Sequence, residues 1–190
     1  MANLATTQQS TQQALTAARH LAAAGEAHQY LTFLLSGEMY AVGILNVKEI
    51  IEYGNLTEIP MMPAFIRGVI NLRGAVVPVV DLSARFGHTQ SDVGKRTCIV
   101  IVEVRQDENR HDLGIMVDAV SEVLEIPGSE IEPPPSFGAK IRADFIAGMG
   151  KVAGKFVILL DIQRVLSVDE MAVLGDVAQS ADRHLEAATA

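Results

Sequence analysis

The sequence predicts a mainly β protein built by internal duplication, and three observations carry that expectation. The block Phe65-Ile66-x-Gly68-x5-Gly74-x5-Val80-Asp81-Leu82 returns eighty residues downstream as Phe145-Ile146-x-Gly148-x5-Gly154-x5-Leu160-Asp161-Ile162, without insertion or deletion. Most apolar residues stand in short runs of Val, Ile and Leu, such as Cys98 to Val102 and Phe156 to Leu160, the length and composition of strands. Hydrophobic residues make up 49% of the chain at a mean hydropathy of +0.25, enough for a packed core. One copy, at about 65 to 70 residues, is marginal alone. Two small antiparallel barrels packed through a common apolar interface are therefore expected, with short helices and one C-terminal helix.

Residues 1–29 are rich in Ala, Gln and Thr and read as a flexible tail. From Tyr30 a hairpin is expected, Leu31 to Leu35 and Met39 to Gly43 about a Ser36-Gly37-Glu38 turn. Ile44, Val47, Ile50 and Ile51 recur at helical spacing and predict amphipathic turns before a strand near Leu56 to Ile59. The order then repeats: strands at Thr97 to Val104 and Leu113 to Val117, and an amphipathic stretch through Val117, Val120, Val123 and Leu124. Arg73-Gly74 and Ala153-Gly154 each separate two apolar runs, and Gly74 and Gly154 supply the positive φ of a tight hairpin. Gly68 and Gly148 fit bulges that curl a sheet, and Pro78 points to an edge or bulged strand. Pro133-Pro134-Pro135 is a rigid loop inside the second copy. A capped helix is expected from Asp169 to Leu174, and 176–190 form an acidic tail.

No run approaches the roughly 18 to 20 apolar residues of a membrane helix, and no signal-like segment follows Met1, so a cytoplasmic protein is expected. A net charge of −8 without a basic stripe argues against nucleic acid. The histidines at 20, 28, 88, 111 and 184 form no ligand pair, and no nucleophile elbow, phosphate loop or dinucleotide motif occurs. Neither metal, cofactor nor enzymatic chemistry is expected. Cys98, inside an apolar run, reads as a small buried hydrophobe.

The duplication also sorts residues by role. Asp81 and Asp161 occur in both copies after an apolar strand, where a carboxylate caps the next turn. Arg67 and Arg73, by contrast, are matched by Ala147 and Ala153. Arg73 is thus either a solvated surface residue or a guanidinium displayed to a partner's carboxylate. Glu49 is open to the same two readings, with Val47 as its apolar neighbour.

The run from Phe65 to Gly74 continued by Pro78-Val79-Val80-Asp81-Leu82, preceded by Gly43-Ile44-x2-Val47-Lys48-Glu49-Ile50 and followed by Leu113 to Val123, resembles the CheW family of bacterial chemotaxis coupling proteins over about residues 30–175. The resemblance implies two five-stranded barrels of SH3/OB type on a shared core. It further implies a non-enzymatic scaffold that binds the cytoplasmic tips of methyl-accepting chemoreceptors and the regulatory domain of the histidine kinase CheA, recruited to membrane-associated arrays without inserting. By position it assigns partner binding to Arg73, Val47, Glu49 and Ile50, and a receptor-facing surface to Gly68 and Cys98. An adaptor of a non-flagellar system controlling surface motility or biofilm formation, and a small-ligand sensor, are the competing readings.

Overall fold

The computed structural model describes residues 27–106, 108–136 and 141–167. Its strands are β1 (Ala27–Leu35), β2 (Glu38–Gly43), β3 (Val47–Glu52), β4 (Ile66–Leu72), β5 (Ala75–Asp81), β6 (Cys98–Gln106), β7 (Asn109–Val117), β8 (Ala119–Pro127), β9 (Ile131–Glu132), β10 (Ile146–Val152) and β11 (Lys155–Leu160), with short helices α1 (Leu82–Arg85) and α2 (Ile162–Val165). They form a six-stranded sheet ordered β8-β1-β2-β11-β10-β9 and a five-stranded sheet ordered β3-β6-β7-β5-β4.

Neither sheet belongs to one copy of the repeat. The N-terminal hairpin β1–β2 joins β8 to β11 of the second copy, while the second copy's hairpin β6–β7 sits among β3, β4 and β5 of the first. The exchange is sealed by two equivalent parallel pairings, β11 with β2 at Ile158–Tyr40 and Leu159–Ala41, and β5 with β7 from Val79–Gly114 to Asp81–Met116. Each sheet curls around its own apolar filling. Ile70, Val77, Val79, Ile99, Ile101 and Met116 fill the five-stranded one, and Ala41, Ile126, Val157 and Leu159 the other. The larger core lies between them, where alternate residues of the same strands, such as Val80, Val100, Val102 and Ile115, meet Phe33, Tyr40, Phe145 and Leu160. Within it the repeat-equivalent Phe65 and Phe145 flank Arg85, whose guanidinium lies 5.2 and 5.0 Å from their ring centroids and whose Nε donates to the Val165 carbonyl at 2.9 Å.

Local chemistry explains the turns. Ser36-Gly37, Arg73-Gly74 and Ala153-Gly154 all carry positive φ at both positions, with values of 51° and 88° at Arg73 and Gly74, as a two-residue hairpin that follows strand twist requires. The register shifts between Ile66 and Gly68 and between Ile146 and Gly148 place a bulge at the same point in both copies. At Gly68, where φ is 145°, a Cβ would fall on the Thr57 carbonyl, so only glycine lets that segment close over β4. Asp81 and Asp161 cap α1 and α2, each accepting from the amides two and three residues ahead. Asp81, fully buried, also accepts from Ser91 N at 2.7 Å and Ser91 Oγ at 2.9 Å, with Arg67 Nη1 4.0 Å away. Arg67 therefore has a partner that its counterpart Ala147 lacks.

Three expectations are corrected. The segment after Gly43 is a single 3₁₀ turn, Ile44–Asn46, followed by strand β3, and the stretch after Val117 is strand β8. Valine and isoleucine supply apolar positions at either period, and ladder pairing decides for strand. Residues 56–59 contribute one bridge, Thr57 to Val69, instead of a strand. Pro78, by contrast, stands where expected: at that point β5 pairs with β4 alone, because the ladder to β7 starts one residue later at Val79, so the strand is locally an edge. β1 also takes in Ala27, His28 and Gln29, whose backbones pair with Pro127, Ile126 and Glu125, so a ladder recruits residues that composition assigned to the tail. The remaining tail, the helix expected at 169–174 and the acidic end lie outside the described residues.

Two outcomes follow. Asp81→Ala is expected to cost about 2–4 kcal/mol in a urea melt, through four lost hydrogen bonds to a buried carboxylate, against about 1 kcal/mol for Asp161→Ala. Burial, reinforced by Glu38, pushes the Tyr40 phenol from 10.0 up to about 12. The folded state thus holds that proton more tightly than the unfolded chain, and the associated stability, complete below pH 10.0, is lost as pH rises towards about 12. Tyr40→Phe should flatten this alkaline limb of a stability-against-pH curve.

Candidate partner-binding surface

Of the residues singled out from the sequence, Arg73 and Glu49 meet at the open side of the five-stranded sheet. β3 and β4 are its opposite edges, and the segment that follows β3 crosses to β4, where Thr57 bridges Val69. Arg73 reaches across the same opening from the tip of the β4–β5 hairpin. Its Nη1 and Nη2 donate to Glu49 Oε1 and Oε2 on β3, both at 3.0 Å, a two-pronged pair that planar guanidinium and carboxylate groups favour. A register shift between Val47 and Glu49 aims the carboxylate, and Asn71 Oδ1, accepting from Gly74 N at 2.8 Å, stiffens the turn that carries the arginine. Arg73 remains 78% exposed and Glu49 26%, so the pair is ordered yet presented to solvent.

Apolar residues flank Glu49 along the chain. Val47 packs half-buried against the shared core, Ile50 is 43% exposed, and Leu45, just upstream, is 97% exposed. Cys98 stands at the other end of the β3–β6 ladder, opposite Glu52, its thiol donating to the Arg96 carbonyl at 3.2 Å. Gly68 stands apart on β4, buried beneath Leu56 and Thr57, where its role is to let that segment pack down. The structure thus joins Arg73 to Glu49 and places Val47 and Ile50 on the same strand, opposite Val102 and Val100, where alternation turns Ile50 to the other face from Glu49. It leaves Cys98 at the far end of the ladder and sets Gly68 apart on β4.

A second charged group escaped the sequence reading. Lys48 Nζ donates to Asp112 Oδ1 at 2.6 Å and lies 3.5 Å from Glu103, which also meets Arg110 at 3.5 Å. The hydrogen bond to Asp112 raises the Lys48 pKa above its ordinary value. Strand alternation across Val47 to Glu52 was the available signal, obscured by the helical reading. Among the described residues no cluster of three or more His, Cys, Asp or Glu could hold a metal, and no helix is long and apolar enough to cross a membrane.

The body is thus a duplicated, mainly β scaffold that presents an ordered ion pair to solvent. The model of the CheW-like domain matches residues 29–170, and the chain belongs to that family. It is 36% identical to chemotaxis protein CheW of Klebsiella aerogenes over 152 residues, 80% of this chain and 89% of the relative. It is also 31% identical to protein FrzA of Myxococcus xanthus over 123 residues, 64% and 74% of the two chains. The crystal structure of the scaffolding protein TtCheW from Thermoanaerobacter tengcongensis superposes with a TM-score of 0.67 at 35% identity, covering 74% of this chain and 88% of that one. The protein is accordingly a chemotaxis scaffold and not an enzyme.

Because the pair is solvent-exposed, its own contribution to folding is small. A double-mutant cycle of Arg73→Ala and Glu49→Ala in denaturant melts should give a coupling of about 1 kcal/mol or less.

Proposed function

We propose that this chain couples the cytoplasmic tips of chemoreceptors to the regulatory domain of the histidine kinase CheA, in the cytoplasm at membrane-associated receptor arrays, and that the surface around Arg73 and Glu49 takes part in that binding. The ion pair carries the reading. Its geometry is fixed by a stiff hairpin and a bulge, yet the second copy dispenses with it, having Ala153 in place of Arg73. A feature that the backbone does not require, held in one orientation, suits recognition through a directional polar contact. Val47, Ile50 and Cys98 belong to the proposal by their place on the β3–β6 ladder, and Gly68 by its place on β4.

A second reading, an adaptor of a non-flagellar chemosensory system, differs in which receptors and kinase are bound. The similarity to a relative that is not named CheW, protein FrzA, favours it.

Calorimetric titration of receptor-tip and kinase regulatory-domain fragments tests both. Arg73→Ala should stay folded, within about 0.5 to 1 kcal/mol of the parent. Its binding to at least one fragment should fall by roughly 30-fold or more, as when one member of an interfacial charge pair is removed. Parental affinity for both fragments removes Arg73 from the site, and a collapsed melt makes its role structural. Fragments drawn from each chemosensory system separate the two readings.

A further inference from the structure

The parallel strands β5 and β7 pair over only three residues each, Val79–Asp81 with Gly114–Met116. Ahead of that point they part, β5 held by β4 alone and β7 by β6 alone. The gap between Ala75–Pro78 and Arg110–Leu113 opens a cavity of about 670 Å³, within the size range of small-molecule sites. Its floor is apolar: Met62, Phe65, Ile66 and Leu113. Val76, 71% exposed, stands at its mouth.

The rim is charged, and its hydrogen-bonding capacity is unevenly used. Its acids, Glu103 and Asp112, are both engaged, Asp112 by Lys48 and Glu103 by Lys48 and Arg110. The donors are not exhausted. Among the described residues Arg110, with five N–H groups and 65% exposed, makes one ion-pair contact at 3.5 Å, and the half-buried His111 beside it has no side-chain partner. The rim's two cations are balanced by its two acids, and what it still offers is hydrogen-bond donors above an apolar floor.

We infer that this cavity binds a small amphipathic acid, its apolar body on Phe65, Val76 and Leu113 and its carboxylate at Arg110 and His111. The site is distinct from the Arg73–Glu49 surface and stands independently of the adaptor reading.

Amide spectra of the full chain titrated with octanoate and with 1-octanol test it. Octanoate should saturate at millimolar concentration or below, shifting the amides of Val76, Val77 and Leu113. 1-Octanol should bind about tenfold more weakly, the worth of a charge-assisted hydrogen bond. Arg110→Gln should reduce octanoate to the level of the alcohol, and Val76→Trp, which fills the mouth from an exposed position, should block both. Equal affinity for acid and alcohol, shifts confined to other regions, or no saturation overturns the inference. So does loss of receptor-tip or kinase-fragment binding in Val76→Trp without octanoate binding to the parent, which assigns the cavity to a partner's side chain.

Discussion

The parallel pairings of β2 with β11 and of β5 with β7 are the contacts on which the rest of the molecule depends. A unit of one copy's size buries too little apolar surface to stand alone, and here neither copy closes a sheet from its own strands. By lending a hairpin to the other copy, each obtains neighbours for strands that would otherwise be edges, and the inward faces of both sheets form one core. Arg85 marks the join: lying between Phe65 and Phe145, it places a cation where the duplicated aromatic rings meet.

Symmetry in the backbone leaves asymmetry to the side chains. Asp81 and Asp161 perform the same cap, but Asp81 is buried and bound by Ser91 beside Arg67, whereas Asp161 is partly exposed and meets its own helix's Arg164 at 3.4 Å. The two arginines that set the first copy apart therefore differ in kind. Arg67 faces inward to a carboxylate within its copy, and Arg73 faces outward across the mouth of the sheet. Comparing the copies identified both residues without telling them apart.

Much of the fold was legible because the repeat, the Gly-containing turns and the strand-length apolar runs act locally. The turns at Arg73-Gly74 and Ala153-Gly154, both bulges and both aspartate caps sit where the sequence puts them. What failed was the assignment of β3 and β8, in which Val and Ile at spacings of three and four imitate a helix while the ladder to a distant strand imposes a period of two. The exchange of hairpins left no local trace, since either partnering satisfies the same alternation. For the site, Arg73 and Glu49 could each be nominated from sequence. Their pairing could not, because it depends on the curl that brings opposite edges of a sheet together.

The exchanged topology also sets an order of events as the ribosome delivers the chain. The five-stranded sheet draws all its strands from one continuous stretch, residues 47–117, and has every partner available once that stretch emerges. The N-terminal hairpin is made first and completed last: β1 waits for β8, and β2 waits for β11, which begins at Lys155. Until then β2 carries an unsatisfied edge and Phe33, Tyr40 and Val42 lack their eventual neighbours. Such long-range closure is slow and exposes the nascent chain to wrong pairings, so the hairpin made well ahead of its partners is the element most in need of protection from other chains.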